Sequence, residues 1–400
     1  MQSLQYLYRY GMGPSSSHTI GPRNAARIFQ EKAPEATAYR VTLYGSLSRT
    51  GKGHLTDKAI ITVFEPVPCE IIWSSDSSSY HPNGMYFEAL DDSGACCRDW
   101  TVFSVGGGEL REQSCSEAEH AHIYGQRSMA DFLRWTETTG NPLWKLVQEV
   151  EGDNIITSFL PEMWDKMKEA IDRGLKTDGI LQGGLTLPRK ARDFMVKARR
   201  LKESEARTGL LSSYALAVSE ENAEGGYVVT APTCGSCGVL PAVLYYLSYE
   251  QRHSDRSIIK ALATAGLIGN VVKSNASISG AEVGCQGEIG VACAMAAGAA
   301  TQILGGSPRQ IEYAAEMALE HHLGLTCDPV QGLVQIPCIE RNAFAAVRAM
   351  ACAEYSLLTD GHHLVSFDKV VKTMLTTGHD ILSLYRETSQ GGLTTAFMQP

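Results

Sequence analysis

The chain has 400 residues and a formal net charge of −9, with no run of lysine or arginine, which excludes a basic surface for nucleic acid or an anionic membrane. Eleven cysteines, an odd number, follow a beginning without an apolar leader, so buried thiols, metal ligation or catalysis are expected rather than a disulfide framework. A chain this long suits two domains better than one core, and the protein is expected to be soluble and cytoplasmic.

In chain order, residues 1–142 read as a mixed α/β domain. A helix should follow Gly21-Pro22, carrying Ala25, Ala26, Ile28 and Phe29. Runs rich in β-formers at 40–44, 59–64, 70–73, 85–90 and 100–105 predict strands, each bounded by Gly, Pro, Asp or Ser. The stretch Thr138-Thr139-Gly140-Asn141-Pro142 breaks this pattern. Residues 143–396 then read as a mainly helical domain, with helices predicted at 160–174, 188–203, 208–220, 238–250, 257–271, 288–304, 308–323, 340–357 and 366–376. The best marked is 308–323, where Ser307 is a fitting N-cap, Pro308 takes the first helical position and Gln310 completes a capping box. The Ala/Gly-rich stretch 289–304 is too short to span a bilayer and reads as a tightly packed, buried helix. The expected fold class is therefore α+β, a mixed α/β domain followed by a mainly α-helical one.

Three cysteines of the helical half stand in Gly- or Pro-framed backbone: Gly284-Cys285-Gln286-Gly287, Thr326-Cys327-Asp328-Pro329 and Ile336-Pro337-Cys338. Backbone amides in such places can donate to sulfur and stabilise the charge of a thiolate cluster. Their spacing is not the compact ferredoxin type, so spacing alone leaves three accidental loop cysteines as an even alternative. The pair Cys234-Gly235-Ser236-Cys237 is a competitor suggesting zinc or thiol redox chemistry, although no second such pair follows. Its simpler reading is a close-approach turn opening the helix at 238.

In the first domain, Gly13-Pro14-Ser15-Ser16-Ser17-His18-Thr19 concentrates four hydroxyls and an imidazole before a helix N-terminus, a loop suited to a small anion such as a carboxylate. The plainer reading is a polar turn with an N-cap. Two more polar knots are Gly51-Lys52-Gly53-His54-Leu55-Thr56-Asp57 and His81-Pro82-Asn83-Gly84. Gly51-x-Gly53 is too short for a dinucleotide or phosphate loop. His120, His122, His321, His322, His362 and His363 lack comparable context and read as surface or helix-end residues.

Taken together, GPSSSHTIGP, YGSLSRTGKGHLTD, HPNGM, VVTAPTCGSCGVLPAVL, NASISGAEVGCQGEIGVACAMAAG and TCDPVQGLVQIPCIERNA resemble the iron–sulfur L-serine dehydratases (L-serine ammonia-lyases) of bacteria. The resemblance runs over nearly the whole chain in the family's order of β domain then α domain. It implies that Cys285, Cys327 and Cys338 hold a 4Fe–4S cluster with one iron left open. It also implies that Ser15, Ser16, Ser17, His18 and Thr19 form a substrate-binding loop, with His54, His81 and Asn83 in other cleft-facing motifs. An open iron would serve as Lewis acid for the substrate, with His18 or His54 as general base. The implied substrate is L-serine, and a homodimer is expected.

Rival readings are a pyridoxal-phosphate dehydratase, for which Lys273 would be the Schiff-base candidate, a non-catalytic iron–sulfur sensor, and a related lyase acting on another small hydroxy or amino acid such as L-threonine. One departure from part of the family lies after Gly391-Gly392. Some members end in a cysteine that can reach back to the open iron, whereas here that stretch reads Leu393-Thr394-Thr395-Ala396-Phe397-Met398. The fourth iron is accordingly expected to carry water, hydroxide or a buffer anion.

Overall fold

A computed structural model describes residues 1–76, 80–112 and 122–398; Cys115 and His120 lie outside the described residues. The first half contains β1 (Tyr10–Met12), α1 (Gly21–Lys32), β2 (Ala38–Leu43), α2 (Gly45–Thr50), α3 (Thr56–Phe64), β3 (Cys69–Trp73), β4 (Gly84–Leu90), β5 (Cys96–Ser104) and β6 (Leu110–Arg111). Helices α4 (Met129–Thr139), α5 (Leu143–Glu151), α6 (Leu160–Lys176), α7 (Ala191–Ala198) and α8 (Glu203–Ala223) follow, then β7 (Tyr227–Val229). The remainder is α9 (Val239–Tyr245), α10 (Asp255–Asn275), α11 (Gly280–Val283), α12 (Ile289–Ile303), α13 (Pro308–Glu320), α14 (Cys338–Leu357), α15 (Phe367–Asp380) and α16 (Leu393–Met398). The fold is α+β, as expected.

Five strands form a mixed sheet in the order β3-β2-β4-β5-β6, with β2 and β3 parallel and the other neighbours antiparallel. Along β2, Tyr39, Val41 and Leu43 point into a core while alternate residues stay half-exposed, the period of a sheet covered on one face. Helices α1 and α3 supply the cover through Ala25, Ala26, Phe29, Ile60 and Phe64, which pack on Met85, Phe87 and Val102. Phe29 and Phe87 are fully buried, each contributing about 2–3 kcal/mol of apolar burial. The segment 59–64, expected as a strand, is the body of α3. Its β-branched residues are helical because Ala59, Ile60 and Phe64 then share the face that closes this core.

The second core is helical and is built around α12, whose residues 289–301 are all buried. Small residues permit this: a Cβ at Gly298 would stand 2.2 Å from Ile268 Cδ1 of α10. The α13 capping box forms as read, Ser307 and Gln310 exchanging side-chain-to-backbone hydrogen bonds.

The division expected at residue 142 falls inside this helical layer. Met129 and Phe132 of α4 belong to the helical core, as do Met1, Leu4, Leu7 and Tyr8. The first residues are tied there by antiparallel pairing of β1 with β7 and by the Tyr8 hydroxyl, which donates to the Leu262 carbonyl at 2.8 Å. The N-terminal segment thus enters the helical layer, leaves it at Gly13 and carries the Ser/His loop along the seam between the two layers. No helix of the described residues is long and apolar enough to cross a membrane.

Candidate active site

The seam encloses a small cavity of about 20 Å³ lined by Ser15, His54, Cys285, Glu288, Cys327, Cys338 and Glu387, together with Pro14, Gly235, Pro329 and Val334. Each of the three Gly/Pro-framed cysteines reaches it from a different element. Cys285 lies in the one-turn 3-10 helix before α12, Cys338 is the first residue of α14, and Cys327 sits in an extended segment whose N–H donates to the Tyr385 carbonyl at 2.8 Å. Two thiols therefore stand at helix N-termini, where the helix dipole favours negative sulfur. A hydrogen bond from the Cys327 thiol and the Arg341 guanidinium lower Cys285 to about 6, making it the acidic member of the pair. Burial pushes the Cys338 thiol up. Arg341, one turn along α14 from Cys338, is fixed by donating to the Thr326 carbonyl at 2.7 Å.

The Ser/His segment, expected as a loop, is a wide helical turn over Ser16–Ile20 that runs into α1 and is shaped by its own hydroxyls. Ser15 Oγ accepts the His18 N–H at 3.1 Å, and the Thr19 hydroxyl donates to the His54 carbonyl at 2.7 Å. Reciprocally, the Thr56 hydroxyl donates to the His18 carbonyl at 2.5 Å, so the two imidazole loops brace each other with ring centroids 4.5 Å apart. Gly13 has to be glycine, because a Cβ there would stand 2.5 Å from the Asn222 carbonyl oxygen. Gly53, next to His54, would place a Cβ 2.4 Å from the Gly332 carbonyl oxygen of the helical layer. The Gly51-x-Gly53 knot is thus a close approach between layers.

A hydroxyl has one proton to give, which fixes both imidazole tautomers. The Thr50 hydroxyl donates to the Ser46 carbonyl at 2.9 Å, so its oxygen accepts from His54 Nδ1–H at 3.1 Å. His54 Nε2 then carries a lone pair and makes no hydrogen bond among the described residues. Burial lowers His54 to about 3, keeping it neutral. The Ser46 hydroxyl donates to the Glu387 carbonyl at 2.8 Å, so it accepts from His18 Nε2–H at 3.0 Å, and His18 Nδ1 receives the Ser17 hydroxyl at 3.0 Å. Both nitrogens of His18 are engaged, and it does not line the cavity.

Of the residues singled out in the sequence, the cavity brings together Ser15, His54, Cys285, Cys327 and Cys338. Ser16, Ser17, His18 and Thr19 form the buried layer behind them. His81 and Asn83 stand further off. Asn83 Nδ2 donates to the Ser104 carbonyl at 3.2 Å, and the neighbouring Pro82 carbonyl accepts the Ser46 N–H at 2.9 Å, so this turn supports the start of α2. Cys234 and Cys237 are buried in the helical core, where desolvation pushes both thiols up. Their turn is clamped by Asn342, whose Oδ1 accepts the Gly238 N–H at 2.9 Å and whose Nδ2 donates to the Gly235 carbonyl at 2.8 Å. That is the close-approach reading. Lys273 is held by Glu109 at 2.8 Å, Gln2 at 2.8 Å and the Tyr6 carbonyl at 3.2 Å, and does not line the cavity.

Sequence reasoning passed over Glu288, Arg341 and Glu387. The first two carry a weak signal, each three residues after a candidate ligand on the opening turn of a helix. Glu288 Oε1 accepts the Thr233 hydroxyl at 2.7 Å, and desolvation with the nearby Cys285 charge raises it to about 8. Glu387 arrives from the far end of the chain. Its Oε1 lies 3.6 Å from His18 Nδ1, and burial raises its carboxyl well above the usual range. Potential ligand atoms of His18, His54 and Glu387 lie within 4.8 Å of one another, but both nitrogens of His18 are already engaged. The three thiols do not close to that single-ion spacing among the described residues, and as donors they suit a larger, thiolate-held group.

Comparison with known proteins agrees with this architecture. Residues 3–72 match the family model described as serine dehydratase beta chain, and residues 88–394 match the one described as serine dehydratase alpha chain. The chain is 43% identical to the L-serine dehydratase of Streptomyces coelicolor, over 97% of each chain. It is 41% identical to L-serine dehydratase TdcG of Escherichia coli, over 97% of each chain, and 40% identical to L-serine dehydratase 2 of the same organism, over 98% of each. Two family models that together span nearly the whole chain in the order beta then alpha, and relatives matched almost end to end, place this chain in the serine dehydratase family.

Proposed function

We propose that the protein is an L-serine ammonia-lyase, removing water from L-serine and releasing pyruvate and ammonia. The observation that carries this reading is the convergence of three thiols, a neutral imidazole with a free lone pair and a hydroxyl loop on one buried cavity. Cys285, Cys327 and Cys338 would hold a 4Fe–4S cluster, their two helix N-termini and Arg341 suiting thiolate sulfur. When bound, a cluster held by only three thiolates supplies an open iron as Lewis acid for the departing hydroxyl.

The protein's own groups do the rest. His54 Nε2 takes the Cα proton, its tautomer set by Thr50 and Ser46. Ser15, the hydroxyl residue of the Ser/His segment that lines the cavity, orients the substrate carboxylate. His18 is a positioning residue, joining Ser17 to Ser46 behind His54. Loss of the Cα proton and the hydroxyl leaves aminoacrylate and water; the aminoacrylate tautomerises to an imine, which water hydrolyses to pyruvate and ammonium. Anaerobically purified protein supplied with L-serine, D-serine or L-threonine tests the reading by 2-oxoacid and ammonia release. Equimolar pyruvate and ammonia from L-serine are expected. Turnover of L-threonine but not L-serine would replace the substrate, and no turnover of any of them would remove the activity.

A further inference from the structure

L-serine brings three polar groups to a cavity, and the reading above provides for its carboxylate and its hydroxyl. The ammonium remains, with three donors and a charge that is costly to bury without an acceptor. Two carboxyl groups line the cavity. Glu288 already accepts the Thr233 hydroxyl at Oε1. Glu387 is different: it is only 6% exposed, and its Oε2 has no hydrogen-bond partner among the described residues.

The backbone of Glu387 is held firmly, and of its carboxyl oxygens Oε1 lies 3.6 Å from His18 Nδ1 while Oε2 alone is left without a partner among the described residues. Its N–H donates to the Cys327 carbonyl at 2.6 Å and its carbonyl accepts from Ser46 at 2.8 Å, which fixes the carboxyl between one candidate ligand and the imidazole pair. Its φ of +56° is a left-handed conformation rare for a residue with a side chain. Strain of this kind persists where surrounding contacts over-determine it.

We propose that Glu387 binds the substrate ammonium through Oε2 and is the residue that selects an amino acid over the corresponding hydroxy acid. This rests on the L-serine reading above and adds a residue to it. His18 is engaged at both ring nitrogens and lies behind the cavity, so the acceptor offered to the ammonium on this side is Glu387 Oε2 alone. Anchored there, the ammonium holds Cα beside His54 Nε2, so recognition of the amine also places the proton that is removed.

The test uses the anaerobically prepared full-length holoenzyme, with L-serine as substrate and 3-hydroxypropionate, which lacks the amine, as competitive inhibitor. In the unmodified enzyme the Ki of 3-hydroxypropionate is expected to exceed the KM of L-serine by about 10- to 100-fold, the range of a charged hydrogen bond. Glu387→Gln should raise the KM of L-serine by a similar factor and leave that Ki within about 3-fold, with iron content retained; Glu387→Asp should recover part of the KM. Pyruvate formation with equal loss of affinity for both molecules, or with an unchanged KM, overturns the inference and leaves the serine reading intact. If Glu387→Gln loses its iron, the comparison in the unmodified enzyme decides, and a Ki equal to the KM overturns the inference. Absence of pyruvate from the unmodified enzyme overturns both.

Discussion

Glu387 donates its backbone N–H to the carbonyl of Cys327 at 2.6 Å, and so a residue near the end of the described chain buttresses a candidate cofactor ligand. The strap continues as Leu393 N–H bonds Asp328 at 2.7 Å and Thr394 bonds the Pro329 carbonyl at 2.9 Å. Removing the chain from Ile381 onward should therefore lower bound iron by at least half and lower Tm, measured by iron assay and calorimetry on anaerobic protein. Unchanged iron content would mean that the strap does not support Cys327.

The tautomer assignment separates the two histidines. His54→Ala should reduce kcat by about 10²- to 10⁴-fold, the scale of a lost general base, with iron retained. Thr50→Val removes the acceptor for His54 Nδ1–H and should cost an intermediate amount, about 10-fold, chiefly in kcat. A larger loss in Thr50→Val than in His54→Ala would contradict the role given to Nε2.

Much of the site was legible because its signals are local. Ser15 to Thr19 and the three framed cysteines each announce themselves within a few residues, and the Ser307 capping box has a fixed spacing. Glu387 had no such signal. Its importance comes from contacts with Ser46 and Cys327, far off in sequence, and a single acidic residue in Arg386-Glu387-Thr388 looks like surface. The pairing of Tyr10–Met12 with Tyr227–Val229 was hidden for the same reason, and with it the place of the first residues in the helical core. The misread of 59–64 is of another kind, local β-propensity yielding to the need to cover the sheet.

Gly53→Ala tests the contact between layers. Its Cβ would lie 2.4 Å from the Gly332 carbonyl oxygen, so the His54 loop must retreat from the seam. The expected result is a kcat/KM loss of at least about 10-fold and destabilisation of about 1–3 kcal/mol, as for overpacked sites. Wild-type kinetics in this variant would show that the seam tolerates separation.

A pH effect on stability should come from Glu220, which is 1% exposed and raised by desolvation to about 7 even though the Lys190 and Ala191 N–H groups donate to it at 2.6 and 3.2 Å. A carboxyl raised on folding binds its proton more tightly in the native state. Its stabilising contribution is full below the unfolded pKa of about 4.3 and is lost as pH rises through about 7, by up to about 3 kcal/mol. Glu220→Gln should flatten the fall in Tm between pH 5 and 8. An identical pH profile in that variant would show that Glu220 ionises normally.

The most direct measurement is pyruvate formation from L-serine as a function of cluster content, in anaerobic protein reconstituted with graded iron and sulfide, beside Cys285→Ser, Cys327→Ser and Cys338→Ser. The rate should rise in proportion to bound 4Fe–4S cluster, and each substitution should abolish both the cluster absorption and the activity. An iron-free protein that turns over L-serine as fast as the loaded one, or a serine variant that keeps both absorption and rate, would contradict the account.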